Sequence, residues 1–178
     1  MSSDRQYRNI ALVGFMGSGK TTVGHLLAEL LGFEFIDTDR AIEKRSHKRV
    51  QEIFAEDGEP AFRKLESDLV VELEASNRSV ISTGGGLVVN PANLESLRKH
   101  ALVACLWASA ETIFERVKSQ SHRPLLHTPD PLATIRELLN RRAPFYKEAD
   151  LLVGVDFRAP QETARNVAAA FARLKVQE

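Results

Sequence analysis

The chain has 178 residues, enough for one well-buried domain and too few for two ordinary ones. Its 24 Lys and Arg balance 24 Asp and Glu, so no net field draws it to nucleic acid or to an anionic membrane surface. A single cysteine excludes an intrachain disulfide and suits a reducing, cytoplasmic setting, and five histidines without ligand spacing give no expectation of a histidine metal site.

In chain order, Met1 to Arg8 is a polar leader expected to fray, with no apolar run of signal-peptide or membrane-span length. Ile10 to Val13 then reads as a buried parallel strand, and it runs into Gly14-Phe-Met-Gly-Ser-Gly-Lys20-Thr21. This is the G-x-x-x-x-G-K-[ST] pattern, followed by Val23, Leu26, Leu27, Leu30 and Leu31 at helical spacing up to a C-capping Gly32. A strand, a glycine loop and a helix N-terminus make an anion cradle. Backbone N–H groups and the helix dipole face phosphates, Lys20 adds a point charge and Thr21 offers a hydroxyl to Mg²⁺. The pattern therefore predicts binding of a nucleoside triphosphate.

Phe33 to Ile36 reads as a second strand, ending in Asp37-Thr38-Asp39. Two carboxylates two residues apart at the carboxyl end of a strand leave on one face, at the edge where open parallel sheets bind ligands. One would stand near Mg²⁺ and the other would hold or deprotonate an acceptor hydroxyl; alternatively, one of them caps a helix starting near Arg40. After Gly58-Glu59-Pro60, the residues Phe62, Leu65, Leu69 and Leu73 mark a helix. On it Arg63 and Glu66 lie one turn apart, the ordinary spacing of a solvated surface pair.

Ser79 to Ser82 is a third strand and leads into Thr83-Gly84-Gly85-Gly86. It lacks the strand-ending Asp that many P-loop proteins use for metal, which shifts that role toward Asp37. The three glycines admit close approach of a ligand and expose N–H donors, or else make a tight turn. Asn90-Pro91 opens a helix with Leu94 and Leu97 inward, and Leu102 to Trp107 is a fourth strand in which Cys105 is a buried structural thiol. Ser109 caps a helix carrying Ile113, Phe114 and Val117. The segment Gln120 to Pro129 has no period and reads either as a lid or as a surface loop. It contains Arg123, the residue type that neutralises charge in phosphoryl transfer. A helix from Pro131 ends at Arg142, whose charge suits a helix C-terminus, and Leu151 to Val155 is a fifth strand before a closing helix with Ala164, Val167, Phe171 and Leu174. Strands alternating with helices predict an α/β layer fold on a parallel sheet.

Taken together, these pieces resemble the shikimate kinases. The resemblance rests on Gly14 to Thr22, Asp37-Thr38-Asp39, Phe62-Arg63 with Glu66, Thr83 to Gly86, Arg123-Pro124-Leu125-Leu126 and Arg142-Ala143-Pro144-Phe145-Tyr146. It implies a three-layer α/β/α fold of the P-loop NTPase type, with a central five-stranded parallel sheet and a mobile lid over about 120–130. The expected activity is ATP-dependent phosphorylation of the 3-hydroxyl of shikimate, on the route to chorismate and the aromatic amino acids. Carried over by position, Gly17, Ser18, Gly19, Lys20, Thr21 and Thr22 hold the phosphates, and Thr21 with Asp37 positions Mg²⁺. Asp39 contacts the acceptor hydroxyls as the base, Arg63 and Arg142 grip the carboxylate, and Gly84, Gly85 and Gly86 border the substrate, with Gly85 donating from its backbone. Arg123 closes onto the γ-phosphate, while Arg116 and Arg158 border the adenine. Gluconate kinase is a weaker resemblance, with Asp-Gly-Asp where this chain has Asp37-Thr38-Asp39 and no match for the triple glycine. A GTPase switch would need Asn-Lys-x-Asp, which is absent from the sequence. A single domain over 1–178, acting as a monomer in the cytoplasm, is the expectation.

Overall fold

The computed structural model describes residues 5, 7–120 and 128–175. Its sheet has five strands, all parallel: β1 (Asn9–Val13), β2 (Glu34–Asp37), β3 (Ser79–Ser82), β4 (Ala101–Trp107) and β5 (Leu151–Gly154), in the order β2-β3-β1-β4-β5. Strands covered by helices on both faces are largely apolar, and β1 is buried along its whole length. The edge strands β2 and β5 are partly exposed. With β1 in the middle, the loops after β1, β2 and β3 all open at one carboxyl edge, where such sheets bind ligands.

The helices are α1 (Lys20–Leu31), α2 (Thr38–Ser46), α3 (Val50–Glu56), α4 (Gly58–Glu72), α5 (Pro91–Arg98), α6 (Ala110–Val117), α7 (Pro131–Tyr146) and α8 (Pro160–Lys175). Ile10, Leu12, Leu27, Ile42, Ile81 and Leu97 are among the fully buried side chains between helices and sheet. Asn90 and Ser109 cap α5 and α6 as their sequence positions predict. Among the described residues, no helix is long and apolar enough to cross a membrane.

Three sequence expectations shift. Phe33 is not in β2, because its N–H is committed to Ala28 O, closing α1 around the left-handed Gly32. The helix from Pro131 does not stop at Arg142: it runs on through Pro144 to Tyr146, where burial of the tyrosine ring holds the last turn despite the missing proline N–H. The leader is not loose where it is described. Arg5 grips Asp150 with both terminal nitrogens, at 2.6 and 2.9 Å, and bonds Arg98 O and Ala101 O, tying the start of the chain to β4 and the approach to β5. Of the expected lid, residues 121–127, including Arg123, lie outside the described residues.

At the opposite edge from the glycine loop, Asn9, Ser79 and His100 lock β1, β3 and β4 together. Asn9 Oδ1 accepts from Ser79 N at 2.9 Å and its Nδ2 donates to Ser76 O at 2.9 Å, which fixes the amide orientation. Nδ2 must then also donate to His100 Nδ1 at 2.8 Å, so the imidazole proton sits on Nε2, a buried atom with no partner among the described residues. Burial, with the nearby Arg8 charge, lowers the pKa of His100 below its ordinary 6.5. Below pH 6.5 the unfolded chain therefore takes up a proton that the native state resists. Stability falls with decreasing pH from there to the native pKa, at up to about 1.4 kcal/mol per pH unit. Chemical denaturation of the parent and of His100→Gln between pH 7.5 and 5 checks this; the variant is expected to show a flatter profile, and parallel profiles would exclude His100 as the cause.

Candidate active site

The glycine loop is shaped by close contacts as much as by conformation. Gly14 has φ 136°, and a Cβ there would meet the carbonyl oxygen of Leu106 at 2.5 Å, so the loop can lie on β4 only with glycine at this point. Lys20 folds back over the loop, its Nζ donating to Gly14 O at 2.8 Å and Phe15 O at 3.0 Å. Ser18 Oγ is buried beneath it, without a hydrogen-bond partner among the described residues. Arg116 reaches the same loop from α6, donating to Gly17 O at 3.2 Å, Ser18 O at 3.4 Å and, across the gap to β5, Val155 O at 3.1 Å. A cleft of about 190 Å³ lies there, lined by Gly19, Thr22, Arg116, Arg158 and Pro160.

Asp37 caps α2 with one carboxylate oxygen and turns the other toward the glycine loop. Its Oδ1 caps α2, accepting from Asp39 N at 3.1 Å and Arg40 N at 3.2 Å, while Oδ2 faces Thr21 Oγ1 at 3.4 Å. A carboxylate oxygen beside a hydroxyl is the kind of hard oxygen pair that would suit Mg²⁺. Among the described residues there is no group of three or more His, Cys, Asp or Glu that could hold a metal ion.

Asp39 is half-buried behind this, its Oδ1 sealed from solvent and without a hydrogen-bond partner among the described residues. Burial, and then the neighbouring Asp37 charge, raise its pKa above the ordinary carboxylate value, with Lys20 pulling the other way. Glu66 is 0 % exposed, so its pairing with Arg63 is not the surface contact that helical spacing suggests. Arg63 Nη1 donates to Glu66 Oε2 at 2.6 Å, and Nε and Nη2 donate to Glu59 Oε1 at 3.1 and 2.9 Å. Burial raises the Glu66 pKa against the opposing effect of Arg63.

Between these groups run Gly84, Gly85 and Gly86. The run is a tight turn, closed by Leu87 N–H on Gly84 O at 3.2 Å, yet none of the three glycines has a positive φ, so it is close approach and not conformation that asks for glycine here. A Cβ on Gly84 would lie 2.7 Å from both Asp39 Oδ1 and Glu66 Oε1; one on Gly86 would lie 2.7 Å from both terminal nitrogens of Arg63. Gly84 N donates to Thr38 Oγ1 at 3.0 Å, and Gly85 O accepts from Arg142 Nη1 at 3.3 Å and from the Tyr146 hydroxyl at 2.5 Å. The glycine run is the wall between two cavities. One, of about 320 Å³, holds Lys20, Thr21, Asp37, Asp39, Gly84 and Gly85; the other, of about 610 Å³, holds Arg63, Gly86, Asn90, Asn93, Arg142 and Phe145.

Residues 16–172 match the family model described as shikimate kinase. A shikimate kinase of Caldanaerobacter subterraneus subsp. tengcongensis is 45 % identical over 94 % of this chain and 98 % of its own. The structure of the Acinetobacter baumannii shikimate kinase in complex with shikimate superposes with a TM-score of 0.89 at 36 % identity, over 95 % of each chain. The chain belongs to the shikimate kinase family. A gluconokinase from Sinorhizobium meliloti, at 22 % identity and a TM-score of 0.60 over 96 % of this chain and 95 % of its own, shares the fold alone.

Within this family member, the structure brings together all the described residues that the sequence singled out around phosphate and acceptor, with Arg116 and Arg158 at the adjoining cleft. Sequence reasoning missed Thr38, which holds Gly84, and the hydroxyl of Tyr146, which holds Gly85. The second had a signal: Tyr146 follows Arg142 by four residues, one face of a helix, once that helix is allowed to pass Pro144. Cys105 is buried beneath the loop, and burial pushes its thiol up to about 12, as a structural cysteine requires.

Proposed function

We infer that the chain is a shikimate kinase, transferring the γ-phosphoryl group of ATP to the 3-hydroxyl of shikimate to give shikimate 3-phosphate and ADP, in the biosynthesis of chorismate and the aromatic amino acids. The observation that carries the reading is the placement of two guanidinium groups on one side of a bare glycine wall and of Lys20 with two aspartates on the other. A small ring acid bearing hydroxyls spans that wall, carboxylate to the arginines and hydroxyl to the phosphates.

In this reading Gly17, Ser18, Gly19, Lys20, Thr21 and Thr22 take the triphosphate, and Lys20 leaves the loop carbonyls it now bonds for phosphate oxygens. Thr21 Oγ1 and Asp37 Oδ2 hold Mg²⁺, whose charge offsets that of the phosphates when bound. Asp39, which lines the cavity beside Lys20, accepts the 3-hydroxyl proton; burial raises its affinity for that proton. Arg63, kept rigid by Glu66 and Glu59, and Arg142 fork the carboxylate. Gly84, Gly85 and Gly86 let substrate and side chains approach the backbone. Arg116 and Arg158, beside Pro160, border the base. Arg123 closes from a lid over about 120–130. Positioning and charge supply most of the rate, since phosphoryl transfer asks little covalent chemistry of the protein. The unit is a single domain over 1–178, working as a cytoplasmic monomer without a nucleic-acid partner.

ADP release measured with shikimate and gluconate side by side, with ATP and Mg²⁺, tests the reading. Shikimate is expected to support turnover and gluconate little or none. Folded protein that releases no ADP in response to shikimate would defeat it.

A further inference from the structure

Tyr146 has no part in the chemistry above, yet it is 1 % exposed and makes one of the shortest polar contacts at the site, its hydroxyl donating to Gly85 O at 2.5 Å. The same carbonyl receives Arg142 Nη1, at the longer distance of 3.3 Å. Both donors stand on one face of α7, four residues apart, because the helix continues through Pro144. Gly85 is the middle of the run whose neighbours fit against Asp39 and Glu66 on one side and Arg63 on the other. A shift of the Gly85 peptide is therefore felt by every acceptor-facing group named above.

We propose that Tyr146 is a positioning residue of the acceptor site, one that holds the Gly85 carbonyl so that Arg142 can leave it for a substrate carboxylate. A carbonyl oxygen has two lone pairs and takes two donors. When Arg142 turns to an anion, its bond to Gly85 O is given up, and a buried carbonyl left without a donor opposes that move. With Tyr146 in place the carbonyl stays paired throughout, so Arg142 is recruited at little cost and the glycine run does not follow it. The phenol is suited to this because it remains a donor at any physiological pH: burial pushes it up to about 12. Without the hydroxyl, Arg142 becomes the donor that Gly85 O depends on, and the loop competes with the ligand for it.

The inference rests on shikimate being the acceptor, and the experiment separates the two. Tyr146→Phe keeps the ring and removes one oxygen. In it, the Kd and KM for shikimate are expected to rise about tenfold, while ADP affinity stays within about twofold. Because the effect runs through the carboxylate, the preference for shikimate over its methyl ester should fall by about the same factor, a readout that mere loosening of the core would leave unchanged. Unaltered shikimate affinity, or equal losses for shikimate and ADP, overturns the role of Tyr146, whereas parent protein that binds no shikimate overturns the assignment of the acceptor. Should the variant not fold, the parent decides through its two tyrosines. By NMR, one hydroxyl proton is expected to exchange slowly both without and with shikimate; fast exchange in either state contradicts the proposal.

Discussion

Asp39→Asn lowers kcat by about two to four orders of magnitude and leaves ADP binding within about twofold. The substitution preserves shape and most hydrogen-bonding geometry but removes the ability to take a proton, so the loss isolates the base from the binding group. Asp39 suits that task because its pKa is raised, by burial first and by Asp37 next. The sign follows directly. A base is active when deprotonated, so kcat/KM of the parent falls as pH drops through a pKa above the usual aspartate value. In the variant this acid limb disappears. Steady-state kinetics across pH, with ADP titration as the control, provide the check. A variant turning over within about threefold of the parent would reduce Asp39 to a binding group.

Gly84→Ala lowers kcat by about a hundredfold with little loss of thermal stability. The backbone at Gly84 does not need glycine for its φ, so alanine is conformationally admissible. What it lacks is room. The new methyl would lie 2.7 Å from Asp39 Oδ1 and from Glu66 Oε1, and both are the ends of side chains that can swing aside. The protein therefore relieves the clash by displacing its base and the carboxylate that holds Arg63, and a displacement of about 1 Å at reacting groups costs on the order of a hundredfold. Gly154→Ala is the matched control: a Cβ there meets nothing within 4 Å. Its kcat should equal that of the parent. Full activity in Gly84→Ala, or a collapse of its melting temperature, would contradict the explanation.

Elements covered on both sides were legible from the residues alone. β1 from Ile10 and the whole of β4 are central, apolar and read as strands almost to the residue, and the loop after β1 carries a pattern whose spacing is itself the mechanism. The caps at Asn90 and Ser109 were legible for the same reason, since a local hydrogen bond needs only local sequence. What escaped depends on long-range contact. The start of β2 was misplaced because Phe33 spends its N–H on α1. The end of α7 was cut short because Pro144 signals a break that burial of Tyr146 overrides. α3 was missed, with only Ile53 buried to mark its inner face. At the site, residue types pointed to the right set but not to their states. Spacing showed that Arg63 and Glu66 meet, but not that Glu66 is sealed from water, and three glycines in a row do not say that each is bare for a different neighbour.

That last feature limits how the pocket can change. α2 reaches the Gly84–Gly86 run through Thr38 and Asp39, α4 through Arg63 and Glu66, and α7 through Arg142 and Tyr146. Three separate helices are gauged against one stretch of unadorned main chain. Redesigning the enzyme for a bulkier acceptor by trimming a single side chain would thus disturb groups from the other two helices, because all of them rest on the same peptides.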